Sequence, residues 1–133
     1  MPIEEKISEY FTNKKEIAAV YVFGSFALGK QRNMSDVDIG ILFDEGSIEN
    51  SGKKKIEYML DLARILRKDI HLTILNDASE ELLRQIFRKG KCILVNNQKK
   101  LSVYKMIKFA KIADFGFYRS QMQAGFERKI MKT

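Results

Sequence analysis

Cysteine is nearly absent: Cys92 is the only one in 133 residues. That excludes an internal disulfide framework and any cysteine-built metal cluster. Within the apolar run "CILV" it is expected to fill core space, and only Lys91 beside it would favour a thiolate, so no redox role is assigned. Long hydrophobic runs are also missing, since no stretch approaches the roughly 18 unbroken apolar residues of a membrane span. The amino terminus, "MPIEEKISEYF", is acidic where an export signal would be basic and then apolar; a cytoplasmic protein is expected. There is no linker, repeat or low-complexity tract, which leaves residues 1–133 as one expected domain. Acidic residues are in deficit, 17 against 24 Lys and Arg, for a formal net charge of +7. Such a surface attracts polyanions, whether nucleic acid, a nucleoside triphosphate or an acidic protein face. The lysines are spread over "KKK" at 53–55, "RKGK" at 88–91 and "QKK" at 98–100, which a merely solvated surface also accounts for.

The 45% hydrophobic content suffices for a core, and its spacing alternates between two periods. Ile3, Ile7, Tyr10 and Phe11 recur at helical spacing up to Asn13, after which "IAAVYVF" (17–23) reads as a buried strand ending at Gly24. Ser25 is a natural helix cap, and "FALGK" can form a short helical turn before the polar loop "KQRNMS". "DVDIGILF" (36–43) is a second strand with Asp36 and Asp38 on one face. A helix over 54–67 should bury Ile56, Met59, Leu60, Ala63 and Leu66. "DIHLTIL" (69–75) is a third strand. A helix capped by Asp77 or Ser79 and closed by Gly90 follows, then "CILV" as a fourth strand and a long helix from about residue 98 through Leu101, Tyr104, Ile107 and Ala113. The order predicts an α/β (α+β) fold, a small mixed β-sheet flanked by helices.

Chemistry concentrates in "FGSFALGKQRNMSDVDIGILF" (23–43). Carboxylates at i and i+2 of a strand have roots roughly 7 Å apart and can converge on a hard divalent cation such as magnesium. Gly24 removes the side chain that would keep a phosphate from the backbone, and Ser25 adds a hydroxyl and the amides of a helix start. Together they suit a triphosphate grip beside a metal site.

"GSFALGKQRNMSDVD" matches the G-S-x10-D-x-D signature of the DNA polymerase β-like nucleotidyltransferases, in the small form called minimal nucleotidyltransferase, or MNT, domains. "LTILNDASEELLRQIFRKGKCILVN" resembles that family's third strand, following helix and last strand, and "FAKIADF" is similar to its late helix. The resemblance implies the nucleotidyltransferase fold and transfer of AMP from ATP to a hydroxyl, with release of pyrophosphate. Gly24 and Ser25 would hold the triphosphate; Asp36 and Asp38 would bind magnesium, as a pair of ions. The family's third carboxylate falls at His71. Asp69, two residues earlier on the same face, is taken as the third catalytic and metal-binding residue, reaching the ions by a slide of one residue pair, with His71 as the alternative, acting as a base.

Small MNT proteins resemble the antitoxins of HEPN/MNT toxin–antitoxin pairs. The acceptor implied is a tyrosine of a cognate HEPN ribonuclease toxin, supplied in trans because a chain this short has no separate substrate lobe, with a hetero-oligomer of the two proteins. Phe115, Phe117 and Tyr118 near the end of the long helix are candidates for that interface or for its core. Two other readings stay open: an MNT-fold module that masks its HEPN partner by contact alone, and a nucleic-acid binder acting through charge. Neither a specific nucleic acid nor a membrane is expected as partner.

Overall fold

The computed structural model describes residues 2–24, 36–44 and 49–112. Its elements are α1 (Ile3–Thr12), β1 (Ile17–Phe23), β2 (Val37–Phe43), α2 (Ser51–Leu66), β3 (Ile70–Ile74), a single 3-10 turn (Leu75–Asp77), α3 (Glu80–Lys89), β4 (Lys91–Val95) and α4 (Gln98–Ile112). The chain divides into two compact units, Met1–Leu101 and Ser102–Thr133, and every candidate site residue belongs to the first. Ser25, the "FALGK" turn, Ala113, Phe115, Phe117 and Tyr118 lie outside the described residues.

The four strands make one sheet in the order β3-β2-β1-β4. β1 runs antiparallel to both β2 and β4, while β2 and β3 are parallel, so the sheet is mixed, as expected. A parallel pair needs a crossover, and α2 supplies it. β1 is buried along its whole length, which is what its unbroken apolar run requires of a strand flanked on both sides. β2 is buried at every position except Asp38.

One face of the sheet presents Val37, Ile39, Ile41 and Phe43 of β2 with Ile70 and Leu72 of β3, and meets Ile7 and Phe11 of α1 and Tyr58, Leu62 and Leu66 of α2. Strand alternation therefore puts Asp38, Gly40, His71 and Thr73 on the opposite face. That face is partly covered by Leu75, which packs on Gly40, and by Phe87 of α3, whose ring stands 6.1 Å from that of Tyr21.

Two expectations are corrected. α2 begins at Ser51, ahead of residue 54, and turns a different stripe inward: Tyr58, Leu62 and Leu66 are buried, with Met59 and Ala63 at the margin, whereas Ile56 and Leu60 are each 61% exposed. The reason is a partner for a polar aromatic. The Tyr58 ring lies 5.3 Å from Phe11 and 6.0 Å from Tyr10, and its hydroxyl donates to Glu16, so the tyrosine can sit where pattern alone favours aliphatics. Cys92 is exposed, not core filler, because β4 is the sheet's edge and carries little cover. In α4, which runs as expected from Gln98, Leu101 and Tyr104 are buried and Ile107 is exposed.

Local signals held elsewhere. Ser79 caps α3 by accepting the Leu82 N–H at 3.2 Å, with Glu80 and Glu81 in the first turn and Arg88 and Lys89 in the last. The Asn97 side chain accepts the Lys100 N–H at 3.0 Å at the start of α4. Among the described residues, no helix is long and apolar enough to cross a membrane.

Candidate nucleotide and metal site

The antiparallel register sets Phe23, the last residue of β1, opposite Asp38, and the chain leaves the strand at Gly24. Gly24 has φ +74°, the left-handed region where a side chain is strained. Its position explains the residue further. A Cβ built there would overlap Asp38 Oδ2 and stand 3.1 Å from its Cγ, so only glycine lets the backbone lie against this carboxylate. The turn and the acidic strand thus meet in space at Gly24 and Asp38, fourteen positions apart in the sequence.

On the other side of β2, parallel pairing matches Val37 with Ile70 and Asp38 with His71, and the Val37 N–H donates to the Asp69 carbonyl at 2.9 Å. Asp36 and Asp69 each precede their strand by one residue, so the register sets them side by side, one step outside Asp38 and His71. Strand alternation gives all four the same face. His71 Nδ1 is 3.0 Å from Asp38 Oδ1. A carboxylate only accepts, so that ring nitrogen carries the proton of the bond. Asp36, Asp69 and His71 are exposed and Asp38 is half-buried, its side chain 26% accessible.

Gly24, Asp38 and His71 are therefore in one cluster, and Asp36 and Asp69 flank it. No slide of β3 brings Asp69 against Asp38; that place belongs to His71. Among the described residues, no three His, Cys, Asp or Glu side chains converge closely enough to hold a metal ion. A magnesium site does not demand it, because this ion is commonly bound through one or two carboxylates, with substrate phosphates and waters completing the octahedron. Asp36 and Asp38 beside a backbone stripped of its side chain fit that donor set.

Sequence reading missed the Asp38–His71 bond, although its signal was present. Laid in parallel, "DVDIGIL" (36–42) and "DIHLTIL" (69–75) align Asp over Asp, Asp over His and, except for Gly40 over Thr73, apolar over apolar, in the register found for Val37–Ile41 with Ile70–Ile74.

Comparison with known proteins agrees with this geometry. The family described as Polymerase beta, Nucleotidyltransferase matches residues 5–99. Protein adenylyltransferase MntA of Shewanella oneidensis is 32% identical over 79 residues, covering 59% of this chain and 55% of the relative, so the match spans about half that protein's length. A relative from Methanocaldococcus jannaschii is 30% identical over 86 residues, 59% of this chain and 86% of its own. Among solved structures, a chain in a crystal structure of a toxin–antitoxin with AMP-PNP superposes with TM-score 0.69 at 25% identity, covering 96% of this chain and 98% of that one.

Proposed function

Because the chain belongs to the Polymerase beta nucleotidyltransferase family, matched over residues 5–99, we propose that it moves AMP from ATP to a hydroxyl of a protein acceptor, a tyrosine of a cognate HEPN ribonuclease toxin, and so acts as that toxin's antitoxin in the cytoplasm. The observation that carries this reading is the backbone of Gly24 lying against the Asp38 carboxylate. It supports a site in which a triphosphate approaches bare backbone on one side and a carboxylate-held ion on the other. The name of the Shewanella relative and the toxin–antitoxin setting of the superposed structure support the acceptor class.

In this reading Gly24 leaves room for the phosphates, and Ser25 adds a donor to them. Asp36 and Asp38 hold magnesium, with Asp69 beside Asp36 as a further carboxylate; the ion, when bound, offsets phosphate charge and polarises the phosphoryl oxygens. The tyrosine oxygen forms a bond to the α-phosphorus as the bond to the bridging oxygen breaks. Pyrophosphate leaves with that electron pair, and the phenolic proton passes to water or to a nearby base. The chain's part is to align the two oxygens and hold the charges, as phosphoryl transfer mainly requires.

A second reading is favoured by one feature: Asp38 Oδ1 is already tied to His71, which suits a fold-retaining module that masks its HEPN partner by contact alone. One experiment separates the two. The protein is mixed with ATP, magnesium and the HEPN protein encoded beside it, and the partner is weighed by mass spectrometry. Transfer adds whole AMP units to the partner, and Asp36→Ala with Asp38→Ala removes them and releases toxicity. A partner of unchanged mass whose toxicity stays suppressed by the double variant would leave contact alone as the function.

A further inference from the structure

We infer that the protein acceptor docks on the outward face of α2 through an acidic amphipathic helix of its own. This rests on the reading that the chain modifies a protein, and deepens it by naming the surface that receives that partner.

α2 is apolar on two sides. Tyr58, Leu62 and Leu66 face the sheet, while Ile56 and Leu60, one turn apart, point into solvent on the far side. Residues three and four apart are neighbours on a helix, so Lys53, Ile56, Leu60, Arg64 and Arg67 form one stripe of about 20 Å. The two aliphatics sit in its middle and cations stand at both ends. Of the two carboxylates in α2, Asp61 accepts from the Tyr10 hydroxyl and from Arg64, and Glu57 stands at the border of the stripe. Among the described residues, Lys53 and Arg67 make no ion pair.

Arg67 marks the stripe independently. It caps the helix at φ 55°, and among the described residues it is the only one besides glycine with a positive φ. Glycine takes this left-handed position without strain and commonly ends helices there. An exposed arginine in its place costs stability, and no ion pair within the described fold offsets that cost. A contact outside the chain accounts for it.

The same features choose the occupant. An apolar pair one turn apart, bracketed by cations, complements a helix whose own apolar pair is bracketed by carboxylates. A second copy of this chain would set cation on cation whichever way the two helices ran. Nucleic-acid phosphates would pair the cations and leave Ile56 and Leu60 wet. Placement agrees with a protein acceptor: only Lys68 separates Arg67 from Asp69, which precedes β3 beside Asp36, so the stripe ends where the candidate site begins.

The probe is the HEPN protein encoded beside the chain, titrated by calorimetry into wild type and variants without nucleotide. Ile56→Glu and Leu60→Glu each put a good helix former at an exposed position, so circular dichroism should be unchanged, and each should weaken the complex by roughly 30-fold or more. Lys53→Glu should act mainly on the association rate and flatten its salt dependence. Arg67→Gly should raise the urea midpoint while weakening the complex, a split that a purely structural arginine would not give. Binding of AMP-PNP should be the same in every variant, since none of these side chains belongs to the candidate site. Wild-type affinity in Ile56→Glu and Leu60→Glu, or in Arg67→Gly, would overturn the inference. So would variants whose only defect is a lost homodimer of the chain in light scattering, or lost binding to duplex DNA. A complex that depends on Ile56 and Leu60 but transfers no AMP would overturn the transfer reading and leave the docking face standing; AMP transfer with variants that bind unchanged would do the reverse. A wild type that does not bind the HEPN protein would overturn both.

Discussion

Gly24→Ala is the perturbation with the most to say about the site, because its cost divides into two parts that can be measured separately. The first is conformational. At φ +74° an alanine costs about 1–2 kcal/mol relative to a right-handed residue. The second is contact: the new methyl overlaps Asp38 Oδ2. Relief requires the carboxylate to swing away and abandon its bond to His71, about 1 kcal/mol for a hydrogen bond at this level of exposure. The single variant should therefore lose roughly 2–3 kcal/mol. In an Asp38→Ala background the overlapping oxygen is gone and the nearest remaining atom, the Asp38 Cβ, stands at an ordinary 3.4 Å. There Gly24→Ala should cost only the conformational part, about 1–2 kcal/mol. Urea unfolding of the four proteins gives the coupling energy directly, and about 1 kcal/mol is expected. Equal costs in the two backgrounds would mean that Gly24 and Asp38 are not in contact, and the site as described would fall with that result. Transfer of AMP should drop more steeply than stability, by on the order of 100-fold, since displacing one ligand by about 1 Å suffices for that.

The helix phase found for α2 is tested by a pair of truncations. Leu62→Ala, at a fully buried position, should cost about 2–5 kcal/mol, whereas Leu60→Ala, largely exposed, should stay within about 0.5 kcal/mol; thermal or urea midpoints in the reverse order would refute the assigned stripe. The Glu16 carboxyl is held below its ordinary 4.5: burial on its own raises it, and the Tyr58 hydroxyl, the residue's own backbone N–H and Lys54 together outweigh that. A group whose folded pKa is lowered stabilises above its unfolded pKa, and that contribution fades as pH falls below about 4.5 and through the folded value. Tyr58→Phe should cost about 1–2 kcal/mol at neutral pH and flatten this acid limb of the stability profile; an acid limb as steep as the wild type's would show that Glu16 is not what sets it.

Where the chain's local chemistry decided structure, the sequence was easy to read. "IAAVYVF" has no polar position to bury or expose, so its bounds as β1 follow from composition, and Ser79 with Glu80 and Glu81 announces α3 by satisfying amides that nothing else would. α2 was harder because two stripes compete on its surface. Ile56 and Leu60 are the more apolar choice, yet Tyr58 and Leu62 win, through Glu16 and an aromatic group drawn from α1 and β2 that no local window contains. Cys92 misled for a related reason, since "CILV" looks the same in a central strand and at an edge, and only strand order tells them apart. At the site, Gly24 and the two aspartates were legible as a spacing; the engagement of His71 with Asp38 depended on the pairing of two strands separated by a whole helix.

That pairing is not independent of the core, which explains how an exposed cluster is held in place. β1 delivers Gly24 at the same end of the sheet from which β2 and β3 depart, because β2 is antiparallel to the first and parallel to the second. Side chains in a strand alternate, so a slip of β2 by one residue would turn Asp36 and Asp38 into the layer formed with Ile70, Leu72, Tyr58 and Leu62 and expel Val37, Ile39 and Ile41. An unpaired carboxylate in that layer costs several kcal/mol, and each expelled aliphatic about 1.5–3 kcal/mol more. Apolar packing on one face of β2 thus fixes the register that presents Asp38 to Gly24 and His71 on the other, and variants that loosen that packing should disturb metal binding before they unfold the chain.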